Sequence, residues 1–147
     1  MKHAIRVSAA AICFLFVASV AANAQVPYTE GAVERVVLLN VLPGHFDAFM
    51  ADFKKNVIPI WDAQKSSGLI VDYQIFLNET RASTDDWNVG FSLIYKSMAS
   101  LDGLPDKIYE LRMKQYGSRD AEQKLIDKRV ENYRPVTSYL LRDIKLR

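Results

Sequence analysis

Trp87-Asn88-Val89-Gly90-Phe91-Ser92-Leu93-Ile94-Tyr95 is the stretch whose reading decides the fold. Trp87, Val89, Phe91, Leu93 and Tyr95 alternate with Asn88, Gly90, Ser92 and Ile94, the two-residue period of a strand with one bulky apolar face and one small or polar face. Asp85-Asp86 before it and Asp102-Gly103 with Pro105 after it are turn and breaker residues. It reads as a central strand that needs neighbours and a cover.

Its neighbours are found on both sides. Val33 to Leu42 contains the nearly unbroken apolar run Val36, Val37, Leu38, Leu39 and Val41, as expected of a strand covered on both faces. Asn40 is the polar exception, and its amide either bonds backbone at the strand end or points into a cavity. Leu69 to Leu77 alternates again, with Val71, Tyr73 and Ile75 on one side and Asp72, Gln74 and Phe76 on the other. Val136 to Leu146 supplies a last strand around Tyr139, Leu140 and Leu141.

Two helical stretches separate these strands. From His45 the apolar residues Phe46, Phe49, Met50, Phe53, Val57, Ile60 and Trp61 fall three and four apart, on one stripe. Pro59 lacks an amide donor, so it kinks that helix or starts a new segment. The second stretch runs from Pro105 to Pro135 in two pieces divided at Gly117-Ser118. Ala121, Leu125, Val130 and Tyr133 are the expected inward face of its second piece. The string is β-α-β-β-α-β, which predicts an α+β domain with a four-stranded antiparallel sheet and helices on one face. Large side chains on both faces of the strands demand a second cover, and a homodimer pairing two sheets supplies one.

The N-terminus has a different composition. Lys2 and Arg6 flank an apolar run from Val7 to Ala22, closing in Ala22-Asn23-Ala24, the basic, apolar and small-residue order of a secretory signal peptide. The expected organisation is a signal peptide at 1–24, an exposed arm at 25–32 and the domain at 33–147, in the periplasm or secreted. Removing Lys2 and Arg6 from the 19 basic residues leaves 17, against 17 acidic ones. A neutral chain without a basic stripe argues against nucleic acid as partner. Cys13 leaves with the leader, so the mature chain has no thiol for disulfide, metal or catalysis. With the leader gone, no membrane association is expected.

The order of elements, the Leu42-Pro43-Gly44 turn into the first helix and the Leu93-Ile94-Tyr95-Lys96-Ser97-Met98 exit from the third strand resemble the dimeric α/β-barrel superfamily. The resemblance spans Val33 to Leu146. It implies a ferredoxin-like protomer whose sheet faces that of a partner, forming a barrel with a ligand cavity in each half. The superfamily includes cofactor-independent monooxygenases, haem-degrading enzymes and isomerases, so fold alone does not fix the function. Asn40 and Trp87 match, by element and type, the asparagine and tryptophan of the haem-degrading branch. That branch's histidine on the second helix has no counterpart, because Asp106 to Tyr133 contains none. The expectation is therefore no cofactor.

Few side chains are left for chemistry. His45 is the one histidine after leader removal, which rules out a multi-histidine metal site within one chain. It either caps a helix at the surface or serves as a base at a cavity mouth. Arg112 and Arg134 could hold an anion, but helix-surface ion pairs are their ordinary explanation. The expected site is an apolar cavity near Asn40 and Trp87, with His45 and Tyr73 at its rim, taking a small apolar or aromatic ligand. Small-molecule binding is the first reading. A cofactor-independent monooxygenase or isomerase acting on a small aromatic substrate, with Asn40 and His45 as its polar groups, is the second.

Overall fold

The computed structural model describes residues 26–147. The leader at 1–24 and Gln25 lie outside the described residues. Strand β1 (Tyr28–Val41) is followed by α1 (Phe46–Asp52), one π-helical turn (Phe53–Val57) and α2 (Ile58–Ser66). Strands β2 (Asp72–Leu77) and β3 (Val89–Tyr95) come next, then a 3₁₀ turn (Met98–Leu101), α3 (Leu104–Tyr116), α4 (Arg119–Val130) and β4 (Tyr133–Leu146). The four strands form one sheet in the order β2-β3-β1-β4, every neighbouring pair antiparallel. This is the ferredoxin-like arrangement, with the first and third strands central.

The helical breaks fall where backbone chemistry puts them. Pro59 would have no amide for the Lys55 carbonyl and its ring would crowd that group. The helix instead widens ahead of it into a π turn, in which the Ile58 N–H reaches the Phe53 carbonyl five residues back. Gly117, at φ 79°, ends α3 in a conformation that a side chain would strain. Ser118 then starts α4 by accepting a hydrogen bond from the Ala121 amide.

Phe49, Phe53 and Trp61 from the α1–α2 stripe are buried against Val33, Leu39 and Val41 of β1 and Val89, Leu93 and Tyr95 of β3, and Ile60 is buried as well. Each large side chain so buried contributes about 1.5 to 3 kcal/mol. Phe46 departs from the stripe and stays partly exposed. Leu104 and Ile108 bring α3 onto the same layer.

Several boundaries move from their expected places. Of the residues read as an arm at 25–32, Val26, Pro27 and Thr29 to Gly31 are exposed, but from Tyr28 onward the segment belongs to β1, where Tyr28, Thr29 and Glu30 pair with Leu146, Lys145 and Ile144. The carbonyl of Gln64 takes the amides of Leu69 and Ile70, which keeps both out of the β2 ladder. Trp87 and Asn88 precede β3 rather than lying in it. The Asn88 side chain occupies the ladder position itself: its Oδ1 accepts from the Val41 amide at 2.7 Å and its Nδ2 donates to the Val41 carbonyl at 2.8 Å.

Register fixes what each face carries. Val37, Leu39, Phe91, Leu93 and Tyr73 look toward the helices. Val36, Leu38, Phe76, Ile94, Tyr139 and Leu141 look the other way, on cross-strand neighbours that share a face. Among the described residues no helix covers that second face.

Candidate functional site

Six aromatic rings run in continuous contact between the sheet and the α1–α2 segment. Tyr133 meets Phe49 edge-on at 5.7 Å, Phe49 stacks on Phe53 at 5.6 Å, and Phe53 meets Trp61 edge-on at 5.0 Å. Phe91 lies 5.5 Å from Phe53 and 5.1 Å from Trp61, and Tyr73 closes the series 5.2 Å from Trp61. Beside this series lies a cavity of about 260 Å³, walled by Phe49, Phe53, Trp61, Phe91 and Tyr133, with aliphatic surface from β1 and Val57. The π turn contributes two of these walls, Phe53 and Val57, so the break imposed by Pro59 also shapes the cavity.

The charged side chain on that wall is Arg129 of α4. Its Nε donates to Asp52 Oδ2, while Asn56 Nδ2 donates to Asp52 Oδ1 at 2.7 Å. Burial disfavours the Arg129 charge, but the hydrogen bond and attraction of Asp52, with Tyr116 nearby, outweigh it and raise the guanidinium pKa above its ordinary range. Arg129 therefore stays cationic, and its Nη2 is buried without a hydrogen-bond partner. Ser92 Oγ and Gln64 Oε1 are likewise unpartnered, but neither residue borders this cavity. Arg129 also borders a second groove of about 390 Å³ between α1 and α4, where Lys55, Lys128 and Glu131 are found.

The four residues expected to converge are separated. Asn40 faces away from the helices, and its Nδ2 donates to the Thr84 carbonyl at 2.9 Å while its Oδ1 accepts from Arg81 at 3.3 Å. Its amide is spent on holding the loop between β2 and β3. Trp87, beside that loop, meets Phe76 edge-on at 5.8 Å. Tyr73 is on the opposite, helix-facing side, where its hydroxyl donates to Asp62 Oδ1 at 2.8 Å. The hydrogen bond to Asp62 and partial burial raise the Tyr73 pKa above 10.0. His45 is exposed at the start of α1, its Nδ1 2.7 Å from Asn132 Oδ1. Asn40 and Trp87 thus lie on the uncovered side of the sheet, whereas Tyr73 is on the helix side beside Trp61 and His45 is at the surface. The cause is strand parity, which places Asn40 and Tyr73 on opposite sides of one sheet.

Trp61 was visible in sequence only as part of the helix stripe. Arg129 was hidden among the charges of α4, because Val130, expected on the inward face, is 45 % exposed and the buried face is turned one residue toward Arg129. Arg112 pairs with the buried carboxylate of Glu122, the structural role that competed with anion binding. Arg134 donates to the Tyr133 carbonyl at 3.2 Å. Among the described residues no three His, Cys, Asp or Glu side chains gather as a metal set, and no helix is long and apolar enough to cross a membrane.

The domain is ferredoxin-like. Solved structures similar to it include a dimeric ferredoxin-like protein from an uncultured marine organism, 9% identical over 81% of this chain and 90% of that one, with a TM-score of 0.48. A dimeric ferredoxin-like protein of unknown function from Jannaschia sp. CCS1 is 14% identical over 77% and 98% of the two chains, with a TM-score of 0.43. A dimeric protein of unknown function and ferredoxin-like fold from Bacteroides fragilis NCTC 9343 is 12% identical over 76% and 94%, with a TM-score of 0.41. No protein-family model and no curated protein matches the sequence.

Proposed function

We propose that this ferredoxin-like domain binds a small, flat, mainly apolar or aromatic molecule between its sheet and the α1–α2 segment, and that it acts as an exported homodimer. The observation that carries the binding reading is the cavity of about 260 Å³ with five rings on its wall. A cavity of about 150 Å³ lined by apolar side chains already accepts benzene, so this one is large enough for a single ring with substituents. Flat apolar walls with few polar groups favour such a ligand over a sugar or nucleotide. Binding is preferred to catalysis because the Asn40 amide already has partners in the protein and His45 lies at the surface against Asn132.

The homodimer is supported by the uncovered sheet face, where Tyr139 and Leu141 are about half exposed beside Val36, Leu38, Phe76 and Ile94. Export is supported by the leader sequence alone.

Titration of toluene against tryptophan fluorescence tests the cavity. The signal change should persist in Trp87→Phe and vanish in Trp61→Phe. Absence of saturable binding, or a change that follows Trp87 instead, would overturn the reading.

A further inference from the structure

We propose that Arg129 is the polar anchor of the aromatic cavity, and that the molecule it selects is a one-ring aromatic carboxylate. This rests on the binding reading above and adds the ligand's chemical class.

Three observations lead to it. Arg129 forms part of the cavity wall, its side chain is only 14% exposed, and its Nη2 is buried without an acceptor. A guanidinium largely withdrawn from water and not fully paired within the protein gains from an acceptor that a ligand brings to its cavity side. Asp52 does not satisfy it: that carboxylate is engaged through Arg129 Nε and Asn56 Nδ2. What Asp52 does is fix the guanidinium in place, so little side-chain freedom is lost when a second acceptor binds.

Charge and size then narrow the ligand. Along the groove that shares Arg129 with the cavity, Lys55, Lys128 and Arg129 face only Asp52 and Glu131. One positive charge is left over, which favours an anion above a neutral carbonyl. A carboxylate offers planar acceptors that match the guanidinium fork. The five rings bordering the cavity leave its remaining wall suited to an aromatic body. The carboxylate would meet the part of the Arg129 guanidinium that borders the cavity, while the ring lies among Phe53, Trp61 and Phe91.

The test uses benzoate, benzamide and toluene as probes, titrated by calorimetry into the full mature chain. Benzoate should bind at least about tenfold more tightly than toluene, as a charge-assisted hydrogen bond requires, with benzamide between them. Arg129→Gln should abolish the preference, read as the ratio of benzoate to toluene affinity. The double variant Arg129→Gln with Asp52→Asn, which leaves neither charge unpaired, should behave in the same way and guards against misfolding of the single variant. Equal affinity for benzoate and toluene, or a benzoate preference that survives in both variants, would overturn Arg129 as the anchor and leave the cavity reading intact. If none of the three probes binds, the cavity reading fails and this inference fails with it.

Discussion

The ring of Phe76 lies across Gly90, so close that a Cβ on residue 90 would stand 2.2 Å from its Cε2 and 2.7 Å from its Cζ. The two residues are direct partners between β2 and β3, and Trp87 meets the same ring edge-on. A missing side chain at 90 is what lets an aromatic residue lie flat on the uncovered face of the sheet.

Gly90→Ala should therefore destabilise the domain by about 1 to 3 kcal/mol, the usual cost of forcing extra atoms into a packed site. Phe76→Ala removes the obstacle, so the alanine at 90 should cost much less in that background. Urea denaturation of the two single variants and the double variant gives the coupling directly. An unchanged cost would mean that the ring swings aside freely.

Tyr95 should give the domain an alkaline limit. Burial holds its phenol above the ordinary 10.0, with Arg35 opposing only part of that shift. In the unfolded chain the phenol ionises near 10.0, whereas in the folded domain it remains protonated to higher pH. Its contribution is thus complete below about pH 10 and is lost as pH rises toward the folded value. Denaturation midpoints measured from about pH 8 to 11 should fall more steeply for the wild type than for Tyr95→Phe. Parallel curves would remove Tyr95 from the account.

The uncovered sheet face should hold two copies together. Sedimentation velocity at micromolar concentration should show a species of twice the mature mass, and Leu38→Lys with Tyr139→Asp should convert it to monomer. Val130→Asp, an exposed change on the helical side, should leave the dimer in place. A wild-type monomer at these concentrations would require another cover for Val36, Leu38 and Ile94.

Cleavage after Ala24 should leave a chain that begins at Gln25. Intact-mass measurement on protein recovered from its native host reads this out, and a mass that includes Met1 would reject export with processing.

Element order was legible in the sequence because it depends on periodicity and on breakers that act locally. The stripe from Phe49 to Trp61, the interruption at Pro59 and the division at Gly117-Ser118 each reflect a steric or hydrogen-bonding rule acting over a few residues. Those rules yield four strands and two helical segments, and the antiparallel sheet follows. Which face each strand turns to the helices is a different kind of fact. Alternation defines two faces without saying which is inside, and Trp87 left the ladder because Asn88 bonds both backbone groups of Val41, 47 residues away. Arg129 likewise acquires its role from Asp52, 77 residues distant. In sequence it is one charge among many on α4; only packing α4 against α1 buries it, ties its Nε and leaves its Nη2 without an acceptor. The sequence by itself determined the elements and their order, since these are set by short-range sterics and periodic burial. The tertiary structure decided the strand faces, the aromatic cavity and its cationic wall, since each is made by side chains that meet only when distant segments pack.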